Sequence, residues 1–359
     1  METLRVTIKE IASIDASVVE RTQVRLDLLT KPQGSLGRLE ELAKRVAGIT
    51  GNESPTLKNK VIFTMAGDHG IALEGVSAFP REVTAQMVYN FLRGGAGINV
   101  LARHVGAKVT VIDMGVACDL ESSPDLIVQK IGYGTKSFTK GPAMTKDEAV
   151  RSLEAGIEVF NREFAKGIDI AGTGDMGIGN TTPSSAIVSA ITGSSVETVT
   201  GRGTGVNDDS YRIKIDVIKK GLAVNNPDAA DAIDVLSKVG GFEIGGLAGV
   251  ILAAASKRVP VVIDGFISGA AALIAYTLEP KTKEYMIAGH CSAEQGHIIA
   301  LNHIGLKPVL DLDLRLGEGT GAALAMSIVD ASVKILTQMA TFQSAAVAEK
   351  KEDQKECEV

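Results

Sequence analysis

The stretch from Ile170 to Ile187 holds the residues whose types and spacing are best suited to chemistry. It begins as an apolar strand and continues as Gly-Thr-Gly-Asp-Met-Gly-Ile-Gly-Asn-Thr-Thr-Pro before a helix. Glycine lets the backbone adopt positive φ and approach a ligand closely, and the first amides of a helix have no partner within it. Together with the hydroxyls of Thr181 and Thr182, these amides can donate hydrogen bonds to a phosphate. The stretch therefore predicts an anion-binding turn.

The same stretch also matches a dinucleotide-binding pattern. Gly172, Gly174 and Gly177 have the G-x-G-x-x-G spacing, and Glu197 lies near where a ribose-binding acid belongs. In a chain with 39 glycines this match has little specificity. An NAD-dependent oxidoreductase is the less favoured alternative, because Asn-Thr-Thr-Pro directly after the glycines is atypical of that class.

Glu318 is the strongest candidate for a general base. It stands between Gly317 and Gly319, at the predicted start of a helix. A carboxylate flanked by glycines is exposed to whatever fills the adjacent cleft, and burial under an aromatic substrate would raise its pKa toward neutrality. The alternative is a carboxylate that only complements the dipole of the helix.

A second glycine turn, Arg202-Gly-Thr-Gly205, is followed by Lys214. The pattern suits a phosphate held by backbone amides and one ammonium group. A solvated loop before a lysine-rich helix explains it equally well.

Asp68 and His69 resemble half of a metal or acid–base site. No His-x-x-x-His pattern or acid cluster accompanies them. His290, His297 and His303 are better explained as packing around a cleft than as ligands. We therefore predict no metal site and no cofactor.

Short apolar runs that end in glycine or an acid alternate with helical segments along most of the chain. Such runs predict a Rossmann-like α/β fold, with a mostly parallel sheet of about six strands covered by helices. Ligands bind such sheets beyond the carboxyl ends of the strands. The candidate strands are Lys60–Ala66, Lys108–Met114, Ile168–Gly172, Val259–Asp264, Tyr285–Ala288 and Pro308–Asp313.

The two ends of the chain lack such strands. Residues 1–50 and 320–344 are predicted to form a small helical subdomain beside an α/β domain of residues 51–319. The charged residues 345–359 are predicted to be a flexible tail. The apolar residues 244–256 are predicted to form a buried helix.

Composition narrows the classes of partner and compartment. The 359 residues carry a formal net charge of −6 and no sustained Lys/Arg stripe, which argues against nucleic acid or an anionic membrane as partner. Cys118, Cys291 and Cys357 form no C-x-x-C pair, and neither a signal peptide nor a membrane-spanning segment is evident. These features favour a cytoplasmic protein.

Taken in order, several segments resemble the nicotinate-nucleotide:dimethylbenzimidazole phosphoribosyltransferase family, which activates the lower-ligand base of cobamides. The resemblance covers nearly the whole chain. The blocks that carry it include Lys31-Pro-Gln-Gly-Ser-Leu-Gly-Arg-Leu-Glu40, Ala66-Gly-Asp-His-Gly70, the 172–187 turn, Gly201-Arg-Gly-Thr-Gly205, Phe242-Glu-Ile-Gly-Gly246 and Leu316-Gly-Glu-Gly-Thr-Gly-Ala322. Several such blocks in the right order are more specific than any single glycine pattern.

The resemblance implies transfer of 5-phosphoribosyl from nicotinate mononucleotide to an aromatic base, which gives an α-ribotide and nicotinate. It implies that Glu318 is the general base and that Asp175 is a second catalytic carboxyl. The phosphate and ribose would be bound by Gly177, Gly179, Asn180, Thr181, Gly203, Lys214 and Ser292. Phe79, Met87 and Met176 would line the pocket for the base, although packing in the core explains these three apolar side chains too.

Asp175 departs from the family pattern, in which many members carry Glu. The shorter side chain draws the carboxyl back by roughly one methylene, so the preferred base stays open among benzimidazoles, purines and phenolic compounds. The resemblance also implies a homodimer. A heterodimer with a paralogous chain, in which this chain is catalytically silent, is the remaining alternative.

Overall fold

The computed structural model describes residues 1–203 and 205–348. Its strands are β1 (Lys60–Gly67), β2 (Ala107–Gly115), β3 (Leu126–Val128), β4 (Ile170–Met176), β5 (Val261–Ile263), β6 (Met286–Ala288), β7 (His290–Cys291) and β8 (Leu310–Asp311). The first six form one sheet in the order β3-β2-β1-β4-β5-β6, and every neighbouring pair is parallel. The predicted α/β fold with a parallel sheet of about six strands is confirmed.

Helices connect the strands and cover the sheet. They are α1 (Glu2–Glu10), α2 (Ala16–Asp27), α3 (Arg38–Thr50), α4 (Val83–Leu92), α5 (Gly97–Val105), α6 (Lys146–Phe164), α7 (Thr181–Thr192), α8 (Val196–Val199), α9 (Asp208–Asn225), α10 (Ala232–Val239), α11 (Phe242–Ser256), α12 (Phe266–Leu278), α13 (Gln295–Ile304) and α14 (Thr320–Gln338).

Five of the six predicted strands belong to this sheet, and the sixth, Pro308–Asp313, was wrong. Only Leu310 and Asp311 of that segment pair, and they pair with β7 outside the main sheet. A strand inside a parallel sheet is buried on both faces, whereas Asp311, Leu312 and Asp313 are exposed. The sixth position belongs instead to β3, a three-residue edge strand that is too short to give an apolar pattern.

The side chains of β1 alternate between two apolar cores, as the twofold period of a strand requires. Val61, Phe63 and Met65 belong to the core beneath α6 and α11, while Ile62 and Ala66 belong to the core beneath α5 and α14. The predicted buried helix at 244–256 is confirmed as part of α11. It lies so close to α6 that a Cβ at Gly249 would be 2.1 Å from the Leu153 carbonyl oxygen.

The helices near the two termini do not all pack together. A small apolar cluster joins α2, α3 and the end of α14 through residues that include Leu26, Ala43 and Leu336. The earlier part of α14 packs on the sheet, and Leu4 of α1 belongs to the core beneath α6 and α11. The division into a helical subdomain and an α/β domain stays a prediction.

Two further features concern the C-terminal part. Within residues 1–203 and 205–348, α14 is the helix long and apolar enough to cross a membrane by length and composition alone. Its buried residues pack against the sheet and α3, as those of a core helix do.

Residues 345–348 of the predicted tail are exposed. Residues 349–359 of that tail lie outside the described part of the chain.

Candidate active site

Acidic side chains gather at one edge of the sheet. Asp68 follows β1, Asp175 lies near the end of β4, and Asp264 follows β5. Glu318 precedes α14 and lies against the same edge, because its carbonyl oxygen accepts a hydrogen bond from Thr64 of β1. The carboxyl ends of parallel strands meet at one edge, so residues far apart in sequence converge there.

The backbone of Glu318 has a left-handed conformation. Its φ is +63°, and those of Gly317 and Gly319 are +81° and +100°. A positive φ is unfavourable for a residue with a Cβ. This explains why glycine stands on both sides of Glu318. On the strand beneath, a Cβ at Gly174 would be 2.3 Å from the Glu318 carbonyl oxygen, so only glycine lets the two segments approach.

The Glu318 carboxylate is anchored at the start of another helix. The Ile98 amide of α5 donates to Glu318 Oε2 at 3.0 Å, and the side chain is 5% exposed. The carboxylate thus complements the dipole of α5 and is held by elements more than 200 residues apart in sequence. This differs from the alternative weighed from the sequence, in which Glu318 complements the dipole of its own helix.

Asp264 fixes the turn that carries Glu318. Its two carboxylate oxygens accept hydrogen bonds from the amides of Gly319 at 3.1 Å and Ala322 at 2.9 Å. These amides belong to the first turn of α14, which otherwise has no partners for them. Asp264 is fully buried, and His290 Nε2 lies 3.8 Å from Oδ1.

Asp175 is buried beside the same turn. Asn180 donates to its Oδ2 at 2.9 Å, while Oδ1 has no hydrogen-bond partner. A Cβ at Gly317 would lie 3.2 Å from Oδ1, which places this free oxygen next to the Glu318 turn. The structure therefore brings together the two carboxyls that were predicted to be catalytic.

Burial and mutual repulsion make these carboxyls weak acids. Burial, followed by the charge of Asp264, raises the pKa of Asp175 to about 8. Burial also raises the pKa of Glu318, although the Ile98 amide opposes it, and Asp264 adds to the rise. Asp175 consequently carries a proton at neutral pH, and Glu318 is poised to accept one.

The glycine turn after β4 is supported from beneath by a buried ion pair. His69 Nε2 lies 2.8 Å from Glu243 Oε1, and both side chains are almost fully buried. Burial lowers the pKa of His69, but the Glu243 carboxylate outweighs it and the net direction is upward. A Cβ at Gly177 would meet Gly67 O at 2.3 Å and His69 Nε2 at 3.2 Å, so the turn rests directly on this pair.

Lys214 lies beneath the two glycine turns. Its fully buried ammonium donates to Thr181 Oγ1 at 2.8 Å and to the Gly201 carbonyl oxygen at 3.2 Å. A Cβ at Gly203 would lie 2.8 Å from Thr181 Oγ1 and 3.2 Å from Lys214 Nζ. Burial lowers the pKa of Lys214 to about 8. Thr181, Gly203 and Lys214, all predicted to bind phosphate, thus meet at one place.

Ser292 accepts a hydrogen bond from the Glu294 amide, and Glu294 in turn contacts Gly203. A histidine orients the Ser292 backbone. The Ser292 amide donates to His297 Nδ1 at 3.1 Å, which requires His297 to be neutral. Burial lowers the pKa of His297 to about 3, in keeping with that requirement.

Gly179, with a φ of +87°, packs against Ala72 and completes the glycine turn after β4.

The three residues predicted to line the base pocket have different surroundings. Met87 and Met176 are half-buried and pack against the same apolar core. Phe79 is 52% exposed on the segment before α4, so core packing does not explain it. Their role toward a base stays a prediction.

The three histidines predicted to pack around a cleft each lie close to another ring. His290 and His297 lie 5.9 Å apart between ring centres, and His303 meets Tyr276 edge-on. Asp68 accepts from the Ala117 amide at 2.8 Å, and His69 is paired with Glu243. Across residues 1–203 and 205–348, no group of three or more His, Cys, Asp or Glu side chains is arranged to hold a metal ion.

Known proteins are similar to this chain in both sequence and fold. A family model described as phosphoribosyltransferase matches residues 11–347. Proteins named nicotinate-nucleotide–dimethylbenzimidazole phosphoribosyltransferase from Geobacter sulfurreducens and Chloroflexus aggregans are each 58% identical to this chain. The matches cover 97% and 98% of this chain, and 99% and 100% of those two proteins. The chain belongs to this phosphoribosyltransferase family.

A solved structure supports the same assignment. CobT from Thermus thermophilus is 45% identical to this chain and superposes with a TM-score of 0.90, covering 93% of this chain and all of that one. The parallel sheet at whose edge Asp175 and Glu318 lie therefore belongs to a fold that phosphoribosyltransferases of this family adopt.

Some residues of this phosphoribosyltransferase site were missed by sequence reasoning. Asp264 ends a predicted strand, Glu294 follows another, and Glu243 lies in the first turn of α11. Asp264 could have been found from the sequence, because it is an acid that directly follows an apolar strand. Nothing in the local pattern indicates that Glu294 reaches Gly203 or that Glu243 pairs with His69.

Proposed function

We propose that this protein transfers the 5-phosphoribosyl group of nicotinate mononucleotide to an aromatic lower-ligand base in the assembly of a cobamide. The observation that carries the proposal is that Glu318 and Asp175 lie beside the glycine turn after β4. Thr181 of that turn meets Gly203 and Lys214. The relatives with 58% identity bear the name of this activity, which supports it.

The proposed reaction is a single displacement at the anomeric carbon. A nitrogen of the base, or the oxygen of a phenolic acceptor, attacks C1′ from the face opposite to the pyridinium ring. The bond from C1′ to the ring nitrogen breaks with its electron pair going to nicotinate. Attack from the opposite face inverts C1′ and gives the α-ribotide. The leaving group is already cationic, so no strong acid is needed to expel it.

Glu318 takes the proton that the attacking base loses. Its raised pKa makes it a stronger base than an exposed glutamate, and Oε2 is fixed by the Ile98 amide. Asp175, protonated below a pH of about 8, can donate a hydrogen bond to the base or to a ribose hydroxyl. The two carboxyls therefore have complementary roles, one as acceptor and one as donor.

The phosphate is assigned to the place where Thr181, Gly203 and Lys214 meet. There the Thr181 amide at the start of α7, a hydroxyl and a buried ammonium can all donate to the same anion. A phosphate would also favour the charged form of Lys214, whose pKa is lowered by burial.

The acceptor is proposed only as a class. Dimethylbenzimidazole is named for the relatives, and Asp175 leaves room for other benzimidazoles, purines or phenolic compounds. We further propose that the protein acts in the cytoplasm as a homodimer, or as a heterodimer with a paralogous chain, without nucleic acid, membrane, metal or cofactor.

A product assay tests the proposal. Purified protein is incubated with nicotinate mononucleotide and a panel of benzimidazoles, purines and phenols, and the products are separated by chromatography. We expect nicotinate release with one ribotide formed per nicotinate, and the ranking of rates names the acceptor. No release with any base favours the silent-subunit alternative, and tight binding of NAD in a fluorescence titration favours the oxidoreductase.

A further inference from the structure

Glu294 places its carboxylate at an anion-binding position of the second glycine turn. Its Oε1 accepts a hydrogen bond from the Gly203 amide at 2.9 Å, although 91 residues separate the two in sequence. Its Oε2 is buried and has no hydrogen-bond partner among the described residues. A carboxylate oxygen in this state has lost its water without gaining a donor, which is unfavourable.

The loop is shaped to admit this carboxylate. A Cβ at Gly201 would lie 2.1 Å from Glu294 Oε2, so only glycine at position 201 allows the contact. Burial lowers the pKa of Lys214, and the Glu294 carboxylate is the charge that partly restores it. A cavity of about 500 Å³ opens beside the contact, lined by residues that include Arg202, Tyr211 and Arg315.

The Gly203 amide lies where the phosphate is assigned, so Glu294 and a phosphate would compete for it. A bound phosphate would also face the Glu294 charge at short range in a buried place, where repulsion is strong. We propose that Glu294 is a displaceable internal anion. It holds the Gly203 amide and balances Lys214 before the substrate binds, and it must leave when the phosphate of the mononucleotide enters.

This role makes Glu294 a determinant of affinity. It preserves the loop between turnovers and weakens the binding of both substrate and product phosphate. The inference rests on the proposed function in one respect, namely the assignment of the Gly201–Gly203 loop to the phosphate.

Glu294→Gln is the informative variant because the glutamine oxygen can keep the hydrogen bond from Gly203 while the charge is lost. We expect the Kd for inorganic phosphate, measured by isothermal titration calorimetry, to fall about tenfold. The KM for nicotinate mononucleotide should fall in parallel. Glu158→Gln, an exposed position on α6, is the matched control and should leave both constants unchanged.

Unchanged or weaker phosphate binding in Glu294→Gln would overturn the inference, because the carboxylate would then be a fixed part of the loop. Glu294→Ala, which frees the amide altogether, should also tighten binding. If both variants fail to fold, the side chain is required for folding and is not displaceable, which overturns the inference too. Wild-type protein that binds phosphate but releases no nicotinate with any base would refute the proposed function alone.

Discussion

The proton on Asp175 makes the stability of the protein depend on pH in a defined direction. The carboxyl has a pKa of about 8 in the folded protein, against an ordinary value of 3.8 for aspartate. Between these values the folded state holds a proton that the unfolded chain has released. The free energy of unfolding therefore falls as pH rises, and the loss is complete only above the folded pKa.

The size of the effect follows from the same two pKa values. Each pH unit within the window costs up to about 1.4 kcal/mol, and the slope declines as the folded pKa is approached. From pH 6 to pH 8 the contribution of Asp175 amounts to about 2 kcal/mol. Asp175→Asn lacks this proton and can still accept the hydrogen bond from Asn180. The variant should therefore gain about 2 kcal/mol relative to wild type between pH 6 and pH 8.

The assay is urea unfolding followed by circular dichroism, since the chain contains no tryptophan. Buffers should be free of phosphate, because a ligand of the folded state would shift the transition. Asp216→Asn, at an exposed position of α9, is the matched control and should track wild type at each pH. Parallel pH profiles for wild type and Asp175→Asn would refute a protonated Asp175.

Three further substitutions test other parts of the site. Lys214→Met should raise the KM for nicotinate mononucleotide by about tenfold or more, because a charge-assisted hydrogen bond to phosphate is lost; an unchanged KM would remove Lys214 from the phosphate site. Asp264→Asn should move the acid limb of the kcat profile to lower pH, since the Asp264 charge contributes to the raised pKa of Glu318; a lower rate with an unmoved limb would leave Asp264 with only a structural role. Gly174→Ala should lower the free energy of unfolding by about 1–3 kcal/mol in urea titrations, because its Cβ would press on the Glu318 carbonyl oxygen, and a neutral effect would contradict that packing.

The glycine-rich turns could be predicted from sequence because their signal is local. Gly317 and Gly319 around Glu318 predict an unusual backbone conformation, and all three residues have positive φ. Alternation of apolar runs with helical segments likewise predicted five strands of the sheet. The edge strand β3 was not predicted, because three residues are too few to show an apolar pattern.

The partners of the catalytic candidates could not be predicted, because they lie far apart in sequence. Glu318 is held by Ile98 across 220 residues, and Asp264 reaches the Gly319 amide across 55. No local spacing encodes such contacts. They arise only when the parallel sheet brings its carboxyl ends to one edge, and they also set the pKa of each carboxyl.

The burial of individual side chains likewise could not be predicted from the local sequence pattern. Lys214 follows a polar loop in sequence, yet its ammonium is fully buried beneath that loop. Phe79, an apolar residue, is half exposed. Both outcomes depend on how α4 packs against the sheet and how α9 packs against α7, rather than on residue type.

The most direct test of the account compares wild type with Glu318→Gln in a single-turnover reaction. Enzyme in excess over nicotinate mononucleotide is mixed with the preferred base, and nicotinate and ribotide are quantified over time. We predict one ribotide per nicotinate in wild type and a rate lowered about 10²–10⁴-fold in Glu318→Gln, with the affinity for the mononucleotide retained. A Glu318→Gln rate near that of wild type would contradict the account.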